Sequence, residues 1–239
     1  MDGVAILNTT IRGRGIFGTS ARYGRIEGND IHTIDCSTGG GVWLGRFSDG
    51  WTIRDNRVHD LAASVEHSMS EGIRFSGAAA YNLVERNVVE DIPGLGRGIA
   101  TDVYSSWNTI RANRVSRTEI GFSEQLGGWG NSWTDNVSDG NRRAGFYIYW
   151  MGASDPQPTT SSPAYLLLRC NRSRNERWGL YIGGVQRSAF EDSDYRVVKV
   201  TDHPLAYWSA AGNTWESRTS APSPTPASTF AGCPSLAPA

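Results

Sequence analysis

The chain repeats a short pattern in which an apolar residue is followed by two other residues, an asparagine, one variable position and a second apolar residue. The first clear copy runs from Ile26 to Ile31 around Asn29. Thr9 and Ser193 occupy the asparagine position in a weaker first copy and a weaker last copy. A pattern with so regular a phase predicts a repeat architecture. The asparagines of its six copies are Asn29, Asn56, Asn87, Asn113, Asn136 and Asn171.

A glycine followed by a short apolar segment recurs in step with the asparagines. The interval from this glycine to the asparagine position is 14 or 15 residues in six of seven copies. In the copy that begins at Gly145, a turn-rich insertion over residues 153–163 lengthens the interval to 26 residues. The constant interval indicates that each repeat is one structural coil. The glycines are Gly15, Gly41, Gly72, Gly98, Gly121, Gly145 and Gly179.

Apolar and polar positions alternate within each repeat, which predicts three short strands with one buried face each. No repeat could bury that face alone, whereas stacked repeats pair equivalent strands in parallel around a continuous core. We expect the asparagines at tight bends, in the left-handed backbone conformation, with their side chains bonded along the stack as a ladder. A second asparagine row is predicted at Asn82, Asn108, Asn131 and Asn213.

These patterns together predict an all-β fold, a right-handed parallel β-helix solenoid of about eight coils with three short strands per coil. A β-sandwich with regular turns is the alternative. It is disfavoured because a sandwich does not require asparagine at one fixed phase of every repeat.

The composition limits the partners and the location of the protein. With 38% hydrophobic residues, 20% charged residues and a net charge of −1, neither nucleic acid nor an anionic membrane is expected as a partner. There is no run of 18 apolar residues that could span a membrane, and residues 1–10 lack the features of a signal peptide. The Pro/Ser/Thr-rich residues 219–239 are typical of an extracellular linker. We therefore expect a β-helix domain over 1–218, a tail over 219–239 and an extracellular or cell-surface location.

Over about residues 4 to 218, the repeats resemble the pectate-lyase-like β-helix superfamily. The resemblance implies that the glycine-led segment is the first strand of each coil, that its outer face carries a substrate groove, and that the asparagine bend separates the second strand from the third. It also implies a polysaccharide partner and favours a polysaccharide lyase. The Asn-Thr-Asp, Asp-Asp and Gly-His-Gly set of the family's hydrolases and the Asp-Pro-His motif of its epimerases are absent. Since the only lysine, Lys199, comes near the end of the repeats, a lysine base in the groove is not expected.

Alternation along the glycine-led strands predicts which side chains face the groove. The outward side chains combine aromatic rings with planar polar groups, which suits the stacking and hydrogen bonding of an extended glycan. The alternative is that the aromatic residues are simply good strand formers. The substrate-binding candidates are Trp43, Gln125, Tyr147, Tyr149 and Tyr181, and we expect the aromatic members to share one exposed face.

The catalytic candidates lie near the centre of the predicted groove. Arg74 is the expected base or carboxylate-binding group, His67 or Glu124 the proton donor, and Asp102 a further charged group. Strict alternation turns Glu124 inward, where an unpaired carboxylate would be costly. Either the strand bulges and exposes Glu124, which is the favoured interpretation, or the side chain is buried as an acid with a raised pKa.

A polar column follows the asparagine bends on the third strand. His59-Asp60 and Glu90-Asp91 fall on adjacent coils, where carboxylate oxygens could bind a hard cation such as calcium. A solvated edge with modest ion pairs, involving arginines such as Arg57, is the favoured interpretation. We therefore predict no cofactor, with a calcium ion as the alternative.

Two functions follow from these features of the sequence. The first is a carbohydrate-active enzyme that acts on an extended polysaccharide, with a lyase favoured. The second is a non-catalytic β-helix module that binds glycan or a partner protein. An enzyme requires the polar candidates to converge on the groove, whereas in a binding module they can be scattered around the coil.

Overall fold

The structure, a computed structural model, describes residues 2–35, 40–62, 70–149, 162–200, 209–211 and 214–219. The described residues form short β-strands and no α-helix. No helix in the described ranges is thus long and apolar enough to cross a membrane. The strands fall into three rows, each of which recurs once per coil in the same chain order.

The glycine-led segments form the first row, and we call its members the groove strands. They are β3 (Ile16–Thr19), β6 (Gly40–Gly45), β9 (Glu71–Ser76), β12 (Arg97–Thr101), β15 (Ile120–Gln125), β18 (Ala144–Tyr149) and β21 (Trp178–Gly183).

The segments that precede the asparagine positions form the second row. They are β1 (Ala5–Leu7), β4 (Arg25–Glu27), β7 (Thr52–Arg54), β10 (Leu83–Glu85), β13 (Thr109–Arg111), β16 (Ser132–Thr134), β19 (Leu167–Arg169), β22 (Ala189–Glu191) and β24 (Ser209–Ala211).

The segments that follow the asparagine positions form the third row. They are β2 (Thr10–Gly13), β5 (Asp30–Ile34), β8 (Arg57–Leu61), β11 (Val88–Glu90), β14 (Arg114–Ser116), β17 (Val137–Asp139), β20 (Arg172–Arg174) and β23 (Asp194–Val200); β25 (Thr214–Thr219) pairs with β23.

Every described strand pair is parallel, and each strand pairs with its equivalent in the next coil. The second row forms one nine-stranded sheet, and the third row and the groove strands form a 16-stranded sheet. The two rows join in that sheet through β23, which begins beside β20 and ends beside groove strand β21. This is the stacked parallel β-helix that the sequence predicts, with the asparagine bend between the second and third rows.

The core is a column of apolar side chains inside the coils. On the groove strands the inward pairs predicted by alternation are fully enclosed, from Val42 and Leu44 in β6 to Leu180 and Ile182 in β21. Burial of such columns on stacking is the main driving force for the fold. The alternation therefore predicts the buried and outward faces of the groove strands correctly after the glycine, but not at the residue before it, which faces outward as well.

The asparagines form the predicted ladder along one bend of the cylinder. Each side chain donates from Nδ2 to Oδ1 of the asparagine in the next coil, at 2.9 to 3.2 Å. The same Oδ1 atoms accept the backbone N–H groups of the preceding coil. The ladder begins at the backbone N–H of Thr9 and ends at the hydroxyl of Ser193. Its members are Asn29, Asn56, Asn87, Asn113, Asn136 and Asn171.

The expectation that these asparagines adopt the left-handed conformation is wrong. The left-handed residue is instead the one before the asparagine, as at Asp55 (φ 55°) and Arg86 (φ 53°). This arrangement leaves the asparagine pointing inward, where its side chain is buried and can bond along the stack. At each bend, one residue therefore makes the sharp turn, and the asparagine after it makes the hydrogen bonds.

The second predicted asparagine row also forms a ladder. Asn82 donates to Asn108 at 2.9 Å and Asn108 donates to Asn131 at 3.1 Å. It lies at the bend between the groove strands and the second row. Asn213, the predicted fourth member, lies outside the described residues.

We expect Asn113→Ala to lower the free energy of unfolding by about 2–4 kcal/mol, because it leaves several buried polar groups without partners. Asn113 accepts the backbone and side-chain N–H groups of Asn87, both at 2.9 Å, and donates to the Val84 carbonyl at 3.0 Å. Urea denaturation measures the change. Thr9→Ala is the matched control, because Thr9 is exposed and contributes its backbone N–H to the same ladder. Equal stability of the two variants would show that the ladder contributes little.

Candidate functional site

The outward side chains of the groove strands lie in register across the stack. Most of the predicted candidates share this face, with Gln125 beside Tyr149 and Asp102 at the end of β12. Their roles stay predictions, but the structure does bring them onto one surface. The central row reads Phe17, Trp43, Arg74, Ala100, Ser123, Tyr147, Tyr181 and Lys199.

Four charged side chains meet at the centre of this face, and we call them the central ion cluster: Glu71, Arg74, Arg97 and Asp102. Arg97 contacts Glu71 at 2.6 Å and Asp102 at 3.0 Å. Arg74 contacts Asp102 at 3.0 Å and Glu71 at 3.5 Å. Gln125 accepts a hydrogen bond from Arg97 at 3.1 Å. The two positive and two negative charges therefore neutralise one another.

The central ion cluster is buried although it stands on the outer face of the sheet. Arg97 is 2% exposed, and Glu71 and Asp102 are equally enclosed. Burial opposes the charge of Arg97, but the carboxylates of Glu71 and Asp102 hold its pKa above its ordinary value. One oxygen of Asp102 and Nε of Arg74 are buried without a protein hydrogen-bond partner. With its charges paired, the cluster is organised as a structural element rather than as a free base or acid.

Trp43 borders the central ion cluster on one side. The guanidinium of Arg74 lies 4.7 Å from the centre of the Trp43 ring, and the edge of Phe17 packs at 5.1 Å. Trp43 is half-buried. One of its faces is therefore engaged by a cation, which helps to fix the ring in the groove.

Glu124 lies inside the cylinder, on the opposite side of its strand from Ser123 and Gln125. The register Thr101–Glu124–Ile148 is regular, so the favoured interpretation of an exposing bulge is wrong. The side chain is fully buried. One carboxylate oxygen contacts the Thr101 hydroxyl at 2.6 Å and accepts from the Asn131 amide at 2.9 Å and the Trp133 indole at 3.1 Å.

Burial raises the pKa of Glu124 to about 8, despite the three hydrogen bonds that favour the charged form. The alternative interpretation of a buried acid is therefore the one the structure supports. A role as proton donor in the groove is not, because the sheet separates Glu124 from the outer face.

The three candidate tyrosines form one cluster, but not a uniformly exposed one. Tyr147 stacks on Tyr181 at 4.7 Å between ring centres, and Tyr149 meets both rings at 5.5 and 5.7 Å. Tyr147 is buried, while Tyr149 and Tyr181 are half-buried. The expectation of one exposed aromatic face is therefore wrong for Tyr147. Burial raises its pKa to about 12, and the guanidinium of Arg143 lies 5.0 Å from its ring.

A cleft of about 490 Å³ opens beside these tyrosines, and we call it the basic cleft. Arg142 is paired with Glu119 at 3.1 Å. No carboxylate of the described residues forms an ion pair with the other three cations, which lie over aromatic rings instead. The lining residues are Glu119, Arg142, Arg143, Arg177, Trp178, Tyr181 and Lys199.

The position of Lys199 corrects the expectation that no lysine reaches the groove. Lys199 is in register with Tyr181, and its amine lies 5.5 Å from the Trp178 ring. It reaches the groove because β23 continues from the third row into the groove row. Trp178 was missed for a different reason. It precedes its glycine, and the residue before the glycine also faces outward, as Arg97 does.

The polar column on the third row matches the solvated-edge interpretation. Glu90 pairs with Arg57 at 2.8 Å and with Arg117 at 2.6 Å. His59 contacts Asp30 at 2.9 Å and Asp60 at 2.7 Å. No group of three or more His, Cys, Asp or Glu side chains within the described ranges could hold a metal ion. A calcium ion stays an untested prediction.

His67, the remaining catalytic candidate, lies outside the described residues. The groove candidates that the structure brings together are therefore Arg74, Asp102, Trp43, Gln125 and the three tyrosines.

Comparison with known proteins agrees with this architecture. Residues 2–157 match the family model described as right handed beta helix region, and the chain belongs to this family. The match confirms the predicted handedness. A search of curated protein sequences gives no match.

Two solved structures are similar to this chain over most of its length. A tailspike protein mutant of E. coli bacteriophage HK620, in complex with a pentasaccharide, is 8% identical with a TM-score of 0.50 and covers 91% of this chain and 49% of that chain. A double mutant of a periplasmic alginate epimerase is 12% identical with a TM-score of 0.45 and covers 90% and 48%. The chain thus spans about half the length of either structure. At 8% identity, the likeness to the tailspike shows the fold alone.

The raised pKa of Glu124 predicts a pH dependence of stability. The folded protein holds a proton up to about pH 8 that the unfolded chain releases near 4.5. The resulting stabilisation is complete below pH 4.5 and is lost as the pH rises through about 8, by up to about 5 kcal/mol. We expect Glu124→Gln to remove this loss, because the amide is neutral and keeps an acceptor for the three donors. Urea denaturation of both proteins from pH 5 to 9 measures the difference.

The wild-type slope also contains Glu176, whose pKa burial raises to about 7. Because Glu176 is present in both proteins, the difference between the two curves isolates Glu124. Parallel curves would contradict a buried, protonated Glu124.

We expect Arg97→Met to lower the free energy of unfolding by about 3–5 kcal/mol, because Glu71 and Asp102 would stay buried with one fewer counter-charge. Arg114→Met is the control. Its exposed pair with Asp139, at 3.6 Å, should contribute less than about 1 kcal/mol. Thermal and urea denaturation measure both. Wild-type stability of Arg97→Met would overturn the structural interpretation of the central ion cluster.

Proposed function

We propose that this β-helix binds an extended acidic polysaccharide along its groove strands and cleaves it by β-elimination at the basic cleft. One observation carries the proposal. Arg143, Arg177 and Lys199 converge on a cleft of about 490 Å³ without forming ion pairs to any carboxylate of the described residues. Cations that are not neutralised within the protein favour an anionic ligand.

The rings beside these cations favour a sugar as the carrier of the negative charge. Trp178 and Tyr181 are half-buried, so each is fixed by packing and keeps part of its surface accessible. A sugar ring can pack its C–H face on such a ring while its carboxylate pairs with arginine. The phage tailspike solved with a pentasaccharide supplies a glycan precedent on this fold.

The arrangement supplies the groups that β-elimination needs. Arg143 and Arg177 would hold the sugar carboxylate and stabilise the enolate that develops from it. Lys199 would first release its ammonium proton to solvent, which the positive charges of the two arginines favour, and its neutral amine would then remove the proton from the carbon next to the carboxylate. The carbon–oxygen bond of the glycosidic link then breaks, a carbon–carbon double bond forms, and the Tyr181 hydroxyl gives its proton to the leaving oxygen. An acidic polysaccharide outside the cell would suit the predicted extracellular location.

The proposed reaction lies away from the centre of the groove. Arg74 and Asp102 belong to the central ion cluster, where each has an opposite charge at 3.0 Å. In our proposal they hold the floor of the groove, while Tyr149 and, several coils further on, Trp43 contact the chain on the same side of the reacting sugar.

A non-catalytic glycan-binding module is the second candidate. It is favoured by the neutralised central ion cluster, which leaves no free acid or base among the described residues at the middle of the groove. In that case the basic cleft binds the acidic polysaccharide without cleaving it.

A screen of acidic and neutral polysaccharides separates these functions. Polygalacturonate, alginate and hyaluronan are incubated with the protein, and ultraviolet absorbance of unsaturated ends is measured together with reducing sugar. We expect both signals to rise together with at least one acidic polymer. Binding without either signal would identify the non-catalytic module. Absence of both binding and cleavage with every acidic polymer would refute the proposal.

On a cleaved polymer, we expect Lys199→Met to lower the rate by about 10²–10⁴-fold, because it removes the proposed base. Arg143→Met should weaken binding by about tenfold or more through the lost carboxylate contact. Arg25→Met, an exposed arginine on the second row, is the matched control and should keep wild-type rates. Wild-type turnover by Lys199→Met would exclude it as the base.

A further inference from the structure

Exposed aromatic side chains concentrate at the bend between the groove strands and the second row. Among the described residues, seven of the eight exposed aromatic side chains lie there, and the eighth, Phe17, lies on the groove face. Exposure at the bend ranges from 41% for Trp129 to 69% for Tyr81. The seven are Tyr23, Phe47, Tyr81, Tyr104, Trp107, Trp129 and Tyr165. We call the central four, Tyr81, Tyr104, Trp107 and Trp129, the aromatic corner.

The aromatic corner is a line that runs parallel to the cylinder axis. The backbone N–H of Tyr81 donates to Ser106 at 3.3 Å, and that of Trp107 donates to Trp129 at 2.8 Å. The second asparagine ladder runs directly beside it. The four rings therefore come from three successive coils, which lie about 4.8 Å apart along the axis, with Tyr104 and Trp107 on the same coil.

The aromatic corner carries no charge, in contrast to the basic cleft. The three bends that build it, residues 77–82, 103–108 and 126–131, contain no Asp, Glu, Lys or Arg. Charged residues return at Asp49, in the bend before Tyr81, and at Arg187, two coils beyond Trp129. A ligand for this surface is accordingly neutral.

Three of these residues hold a backbone conformation that suits smaller residues better, and one of them is Tyr104 with a φ of 62°. Tyr81 and Trp107 both have a φ of 58°, and Gly130 occupies the same position in the next coil. The left-handed conformation is unfavourable for residues that carry a Cβ, because the Cβ crowds the following carbonyl oxygen. Because the side chains are exposed, they do not recover this cost in the core. The bends impose this conformation on whichever residue stands there, as at Ala78, so what distinguishes Tyr81 and Trp107 is a large exposed ring at such a position.

The ring of Trp107 lies across the glycine of the next coil. A Cβ built on Gly130 would stand 2.2 and 2.3 Å from Cε3 and Cζ3 of this ring. Tyr23 lies across Gly50 in the same way, with the nearest ring atom at 2.7 Å. One side of each ring therefore packs on the backbone, and the other side has accessible surface. Flat rings separated by glycine and serine suit sugar rings better than the interlocking apolar core of a protein interface.

We propose that the aromatic corner is a second glycan-binding site, which takes a neutral stretch of polysaccharide along the cylinder axis. The glycan packs its C–H faces on the open rings, with Tyr81 and Trp107 at the centre. This site adds a binding surface beside the groove and does not require that the groove be catalytic.

The test replaces the rings while relieving the backbone strain. The variant combines Tyr81→Asn, Trp107→Asn and Trp129→Ser, since asparagine tolerates the left-handed conformation. Leu7→Ser is the matched control, an exposed apolar residue on the second row that belongs to neither proposed binding surface. Affinity electrophoresis through gels that contain mixed-linkage β-glucan, galactomannan or arabinoxylan measures binding to neutral glycans.

We expect the wild-type protein and Leu7→Ser to be retarded by at least one of these polymers. The triple variant should bind at least about tenfold more weakly and keep or raise its melting temperature. Its cleavage or binding of acidic polymers should be unchanged, so a failure of the groove proposal would not be mistaken for a failure of this one.

Three results would overturn the proposal. The first is no retardation of the wild-type protein by any neutral polymer, and the second is equal retardation of the triple variant. The third is a wild-type oligomer that the triple variant converts to a monomer in light scattering, which would make the surface an interface between copies of this chain.

Discussion

The hydrogen bonds of the asparagine ladder are the constraint on which the other features depend. Each bend directs polar backbone groups into a core that water does not reach, and these groups must find partners there. Asn113 serves two N–H groups of the coil before it and donates to a carbonyl of that same coil. Because Oδ1 of one asparagine fits only the asparagine in phase with it, the ladder sets the register of the strands on both sides.

Because the register is strict, the same position in successive coils forms a column of side chains along the cylinder. The chemistry of this protein depends on these columns rather than on local motifs. The position before the groove glycine carries Glu71, then Arg97, and later Trp178. Charges from consecutive coils therefore stand about 4.8 Å apart, close enough to pair directly. Where opposite charges alternate, as in the central ion cluster, the column neutralises itself. At the basic cleft the cations lie over aromatic rings instead of pairing with carboxylates, so their charge stays available for a ligand.

The sequence predicts the fold and the facing of the groove strands because both depend on period. The asparagine and glycine intervals define the coils, and alternation alone turns Glu124 inward. The period of the repeat does not show which side chains of neighbouring coils contact one another. Arg97 pairs with carboxylates from its own coil and the one before, and Lys199 enters the groove because one strand serves two rows. The aromatic corner was missed because bends were considered only as turns, although the residue before the asparagine points to solvent.

Free charges and exposed rings identify function better than buried charges do. A buried ion pair must offset the loss of hydration of both groups, so close pairing at 2.6 to 3.0 Å is what its burial requires in any case. An arginine or lysine that lies over an aromatic ring, and forms no ion pair with an acid of the described chain, is not explained by this requirement. The same is true of an exposed tryptophan in a strained backbone conformation, which the stability of the fold does not explain. Stability explains the central ion cluster, whereas the basic cleft and the aromatic corner are explained by ligands of different charge on two faces of one cylinder.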